Sequence, residues 1–143
     1  MSKADIHLEI ILHAPIDKVW QAWTDANAMT WFGSDADGQV MKARMDARPG
    51  GSFEITFQNF DKTEYTCYGV YEDVLQPNLL SFSWNWKNEP GVRSFVTVLL
   101  SPAGKENTKM QFSHVDVGDA SAHDYKKGWQ ATFLKLDRAL SAS

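Results

Sequence analysis

Residues 120–141 read ASAHDYKKGWQATFLKLDRALS. Tyr125, Trp129, Phe133, Leu136 and Leu140 recur there at spacings of three and four. That spacing lines side chains along one face of an α-helix, so it predicts a single long amphipathic helix over 120–141. Asp119 or Ser121 is placed to cap its start. At 1.5 Å per residue such a helix reaches roughly 30 Å, enough to cross a whole sheet. Gly128 interrupts it at a cost of up to about 1 kcal/mol relative to alanine. Either a close approach to a strand or room for a ligand beside Trp129 would offset that cost.

Upstream of this helix the period is two. LLSFSWNW, Leu79–Trp86, places Phe82, Trp84 and Trp86 on one face of a strand, with serine, serine and asparagine between them. SFEITFQN does the same with Phe53, Ile55 and Phe57, and TKMQFSHVDV with Met110, Phe112 and His114. GQVMKARMDA, TEYTCYGVYEDVLQ and VRSFVTVLLS supply three more strands. Turn-forming stretches separate them: RPGG (48–51), Asn59 to Lys62, Pro77-Asn78, KNEPG (87–91) and PAGKEN (102–107). Short connections between successive strands predict an antiparallel meander.

At the amino end, ADIHLEIILHA suggests a strand over 5–13, closed by Ala14-Pro15. Ile16, Val19, Trp20 and Trp23 then fall at helical spacing, with Pro15 suited to a first helical turn. Asp25-Ala26-Asn27 breaks that pattern, and a second short helix follows over 26–32. The expected architecture is α+β. A curved antiparallel sheet of about seven strands wraps a long C-terminal helix, and two short helices follow the first strand. The apolar face of the sheet must be covered, and the long helix is the element able to cover it. A curved sheet that one helix cannot fill leaves a void, into which Phe82, Trp84 and Trp86 would face.

The length of 143 residues suits a single domain over 1–143 with its own core. The lone cysteine, Cys67, excludes an internal disulfide and a cysteine-rich zinc site. Net charge is −4, with both signs scattered along the chain, which argues against a nucleic-acid binder. The N-terminal stretch lacks the apolar run of a signal peptide, and nothing approaches a membrane span, so a cytoplasmic location is the expectation. Six tryptophans, eight phenylalanines and four tyrosines make the chain 13% aromatic, a composition rich in large, shape-specific apolar area.

The order of elements resembles the START-like (SRPBCC) superfamily, the helix-grip fold of birch-pollen allergens. APIDKVWQAWTD with a following WF, RPGGSFEI, YGVYEDVLQPNLLSFSW, VTVLL and GWQATFLKL resemble more closely the family named for the activator of the heat-shock protein 90 ATPase, in its stand-alone bacterial branch. The resemblance runs in order from about Ile6 to Leu140. It implies a cavity between sheet and C-terminal helix, open at one end, that receives an apolar or aromatic small molecule. It implies no fixed catalytic motif and no obligatory cofactor. The eukaryotic co-chaperone carries an additional N-terminal domain that is not expected here, so the resemblance does not by itself imply ATPase activation.

Candidate ligand-binding residues follow from faces and fold together. Trp84 and Trp86 would form one wall, with Phe53, Phe57 and Phe112 on neighbouring strands. Trp129 and Phe133 would face them from the C-terminal helix, with Tyr125 nearer the mouth. In this fold the second short helix borders the entrance, which adds Trp31 and Phe32. Tyr65 and Tyr68 lie on opposite faces of one strand; taking Val70 as the mark of the core face makes Tyr68 the inward one and Cys67 the outward one. His114 is either a hydrogen-bonding group at the pocket mouth or an interior histidine satisfied by a neighbouring strand.

No histidine pair has metal-ligand spacing, so no metal is expected, and none of the motifs for a nucleophile or a dinucleotide is present. The carboxylates fall mostly on turns or outward positions, away from any acid–base pair. The first functional expectation is therefore a small-molecule binder without catalysis. A chaperone-associated interaction module and an enzyme on an aromatic substrate, working through Tyr68, Trp84 and His114, are the alternatives. A two-fold homodimer is common for small domains, and the sequence leaves that open.

Overall fold

A computed structural model describes residues 3–87, 93–118 and 122–141. In chain order its elements are β1 (Lys3–Leu12), α1 (Ile16–Thr24), a short 3-10 helix (Ala26–Trp31), β2 (Gln39–Met45), β3 (Ser52–Gln58), β4 (Glu64–Leu75), β5 (Leu79–Trp86), β6 (Ser94–Pro102), β7 (Thr108–Gly118) and α2 (Ala122–Ser141). The seven strands form one sheet in the order β1-β7-β6-β5-β4-β3-β2, and every neighbouring pair is antiparallel. Strands β2 to β7 are thus a meander, and β1 adds to its far edge beside β7. This is the α+β helix-grip fold. The 87–91 turn lies largely outside the described residues, as do both helix-capping candidates, Asp119 and Ser121.

Period and burial agree along most strands. On β1, Ile6 and Leu12 are buried while His7, Glu9 and Ile11 are exposed. On β5, Leu80, Phe82 and Trp84 are buried and Trp86 is half-buried. On β6, Ser94, Val96, Val98 and Leu100 point inward, and on β7 so do Thr108, Met110, Phe112 and His114. Asp116 has a positive φ of 64°. The alternation slips there, and Val117 rather than Asp116 is buried.

The α1 helix buries Val19, Trp20, Ala22 and Trp23. Thr24 ends it, and Asp25 caps the 3-10 helix by accepting from the Asn27 N–H at 2.9 Å. From α2, Trp129, Phe133, Leu136 and Leu140 join the same core cluster as the inward residues of the sheet. Burying one such large side chain stabilises by about 1.5–3 kcal/mol, which makes this stripe the main attachment of α2.

Two sequence expectations change at this level. Tyr68 is 39% exposed, and Cys67 is fully buried. The register explains it: Cys67 sits opposite Ile55 and Tyr68 opposite Glu54, and opposed residues of an antiparallel pair share a face. Val70, taken as the core mark, is itself 42% exposed; the inward set is Tyr65, Cys67, Gly69 and Tyr71. Gly69 is required where it stands, because a Cβ there would lie 1.9 Å from the Ser83 carbonyl oxygen on β5. Gly128 has no such constraint. A Cβ there would meet Ser34 at 3.6 Å, an ordinary contact, so close approach to a strand does not explain that glycine.

Candidate functional site

The space between sheet and α2 is filled by interlocked rings. Phe32 stands between the layers, with ring centroids 5.8 Å from Phe57, 5.8 Å from Trp84 and 6.0 Å from Trp129. Trp84 packs edge-on against Trp86 at 5.2 Å and Trp129 at 5.3 Å. Phe112 lies 4.6 Å from Trp129 and 4.9 Å from Phe133. Phe53 packs against Phe82 at 5.1 Å and Tyr71 at 5.5 Å. Trp31 meets Trp23 edge-on at 5.0 Å and donates its indole N–H to the Ala22 carbonyl at 3.1 Å. Of the twelve candidates, all but Tyr68 therefore converge on this interior or its rim.

The rim is aromatic too. Trp86 and Tyr125 are half-buried, and the Trp86 indole donates to the Tyr125 hydroxyl. Tyr65, expected on the opposite face, stacks on Phe57 at 5.8 Å and lies 6.2 Å from Trp86. Its alternation with Cys67 is the signal that marks it as inward, and Val70 is the wrong reference.

His114 is fully buried. Trp129 Nε1 donates to its Nδ1 at 3.0 Å, and its Nε2 lies 2.7 Å from Ser94 Oγ. An indole N–H can only donate, so Nδ1 is the acceptor and the neutral ring carries its proton on Nε2. Nε2–H then donates to Ser94, whose hydroxyl turns to the Trp84 carbonyl at 3.4 Å. Burial pushes the imidazole pKa down to about 3, so the ring is neutral at physiological pH. Of the two sequence readings, the interior histidine satisfied by a neighbouring strand is the one observed, with Ser94 on β6 as the partner. With both ring nitrogens engaged, His114 has no free position for proton transfer.

A cavity of about 10 Å³ remains within this packing, room for about one water. Phe32, Phe53 and Trp84 line it, together with Phe82, expected to face the interior. So do Trp23, Met29, Met45, Ile55 and Tyr71, none of which was among the candidate ligand-binding residues. No carboxylate, amide or imidazole of the described residues is on its wall. Two of the wall residues carry an unusual feature. Among the described residues neither the Trp23 nor the Trp84 indole N–H has a hydrogen-bond partner, although the side chains are only 2% and 3% exposed. Burial also raises the Tyr71 phenol and Cys67 thiol pKa values, so neither ionises near neutrality.

The segment between the 3-10 helix and β2, residues 32–38, closes one side of the interior. Lys135 on α2 holds it, with Nζ donating to the carbonyls of Gly33 at 3.2 Å and Asp35 at 2.8 Å. The Asp35 carboxylate accepts from the backbone N–H of Phe60 at 2.7 Å and of Asp37 at 3.0 Å. Those backbone bonds, the Phe60 one foremost, hold its pKa below the usual carboxylate range. Desolvation lowers that of Lys135, and Asp35 opposes the shift. Among the described residues no group of three His, Cys, Asp or Glu side chains could hold a metal ion, and no helix is long and apolar enough to cross a membrane.

Comparison with known proteins places this geometry. Solved structures of similar fold include an AHSA1 protein from Silicibacter pomeroyi, at 22% identity and TM-score 0.85 over 97% of this chain and 99% of that one. A protein from Nitrosomonas europaea matches at 20% identity and TM-score 0.82 over 96% and 94% of the two chains. An Hsp90 activator from Plasmodium falciparum matches at 20% identity and TM-score 0.62, over 80% of this chain and 74% of that one. At these identities the likeness is one of fold. No curated protein sequence matches the chain. The family model described as Activator of Hsp90 ATPase homolog 1-like protein matches residues 13–141. The chain belongs to that family.

Proposed function

We propose that the protein binds a small, ring-bearing apolar molecule between its sheet and α2. The observation that carries this is the pair of buried indole donors, Trp23 and Trp84, both lining one cavity and both without an acceptor among the described residues. An unpaired buried donor costs about 1–3 kcal/mol. A core selected only for stability has no use for two of them, since phenylalanine would fill much of the same volume without a polar atom. A ligand that brings an acceptor recovers the cost of whichever donor it reaches. The cavity of about 10 Å³ is too small for such a ligand, so uptake requires a ring to move. Phe32 is the candidate, because it enters from an irregular segment secured to α2 by Lys135.

The test is a ¹H–¹⁵N spectrum of the six tryptophan indoles, recorded while uncharged aromatic compounds are added. Binding inside predicts saturable shifts of the Trp23 and Trp84 signals, assigned with Trp23→Phe and Trp84→Phe. Signals that stay in place with every compound, or shifts confined to the rim indole of Trp86, would contradict it.

A chaperone-directed role is the second reading. It is supported by family membership and by the Plasmodium falciparum neighbour, an Hsp90 activator. A rise in Hsp90 ATP turnover on adding the chain would favour it; unchanged turnover at saturating chain would not.

A further inference from the structure

We infer that the interior selects for an uncharged ligand that accepts hydrogen bonds and donates none, such as an aryl ketone, quinone, lactone or ester, over hydrocarbons, alcohols and carboxylates of the same shape. This rests on the binding proposed above and specifies the ligand's chemistry. Donors, acceptors and charges around the cavity decide it.

Trp23 and Trp84 are both lining residues, and their buried indole N–H groups have no hydrogen-bond partner among the described residues. Indole nitrogen cannot accept, because its lone pair belongs to the ring. The other lining residues with a heteroatom in the side chain are Tyr71, whose single hydroxyl can donate or accept, and Met29 and Met45, whose thioether sulfurs are weak acceptors. Three strong acceptors in the same core are already in use. His114 Nδ1 takes the Trp129 N–H, Ser94 Oγ takes the His114 N–H, and the Ala22 carbonyl takes the Trp31 N–H. A hydroxyl or amine on the ligand would therefore bury its own hydrogen with little to receive it, and lose in the interior the bond it made to water.

Charge is excluded by the same wall. Its lining residues include no cation. His114, packed 5.5 Å from Trp84, is neutral. Lys135 spends its ammonium on the carbonyls of Gly33 and Asp35. A carboxylate taken inside would have two neutral donors to replace its hydration, with no counter-charge, and that does not offset its desolvation. A hydrocarbon gains area but leaves both indoles as they were. A carbonyl oxygen can accept from whichever indole N–H it reaches and has no hydrogen to strand.

The experiment uses one shape in four chemistries: indane, 1-indanone, 1-indanol and indane-1-carboxylate, each titrated into the full chain at pH 7 with the indole spectrum as readout. The expected order places 1-indanone first, at least about tenfold tighter than indane and indane-1-carboxylate, with 1-indanol between. In the double variant Trp23→Phe/Trp84→Phe the ratio of 1-indanone to indane affinity should fall to about one, whatever the change in overall affinity. If that variant does not fold, each single variant serves, and each should lose part of the preference. Uptake of indane or of the carboxylate as tight as that of 1-indanone overturns the selection and leaves binding intact. So does a preference unchanged in the variants. Uptake of none of the four contradicts the binding itself, and the selection with it.

Discussion

Trp129 Nε1 donates to His114 Nδ1 at 3.0 Å, across the interface between α2 and β7, and this bond sets the protonation of a fully buried histidine. With Nδ1 occupied as acceptor, the imidazole must stay neutral to keep it. Its pKa is lowered to about 3 by burial, whereas in the unfolded chain it returns to about 6.5. Below about pH 6.5 the unfolded state takes up a proton that the folded state refuses, so stability falls as pH falls through this window. By about pH 5 the loss from this residue is about 2 kcal/mol. Urea unfolding at pH 7 and pH 5 measures it, and His114→Phe should flatten the difference. Equal stability of the native chain at the two values would contradict the buried, neutral ring.

Trp129 itself touches Phe32, Trp84, Phe112, His114 and Phe133. Packing this dense predicts that Trp129→Ala destabilises by about 3–5 kcal/mol. Trp129→Phe keeps a ring but strands His114 Nδ1, for a loss of about 1–3 kcal/mol. Chemical denaturation separates the two. A loss near zero for Trp129→Ala would mean that the ring borders open space.

Lys135 bridges α2 to segment 32–38 through the carbonyls of Gly33 and Asp35. Lys135→Met keeps the apolar stem and removes both bonds. Hydrogen exchange over residues 33–38 should quicken by about tenfold, with the core strands unchanged. Exchange that stays the same would show that the Asp35 bond to Phe60 suffices to hold the segment.

Gly128 has room for a methyl group, which would sit at an ordinary contact distance from Ser34. Gly128→Ala is therefore expected to stabilise by up to about 1 kcal/mol through helix propensity. A lower melting temperature in this variant would reveal a role for the glycine that its surroundings do not display.

Much of the fold could be read before any coordinates. The bounds of β5 coincide with the quoted LLSFSWNW, and the stripe from Trp129 to Leu140 is the buried face of α2. Both depend on a period that holds over many residues. The misreading of Tyr68 came from one reference residue in a strand whose small inward members, Cys67 and Gly69, carry little hydrophobic signal. Only pairing with β3 resolves that parity. The cavity wall was less legible for a related reason. It draws Trp23 from α1, Met29 from the 3-10 helix, and Met45, Ile55 and Tyr71 from three strands. Proximity across elements is a tertiary property that no local spacing records. Likewise, nothing in the order of residues announces that Trp31 finds a carbonyl partner while Trp23 and Trp84 do not.

The most direct test of interior binding is a crystal structure of the protein grown with 1-indanone. Density for the bicyclic ring beside Trp84, with Phe32 displaced and the ketone oxygen within hydrogen-bond distance of the Trp23 or Trp84 Nε1, is the expected result. An unchanged ring packing, with no more than a single water against those two indoles, would contradict it.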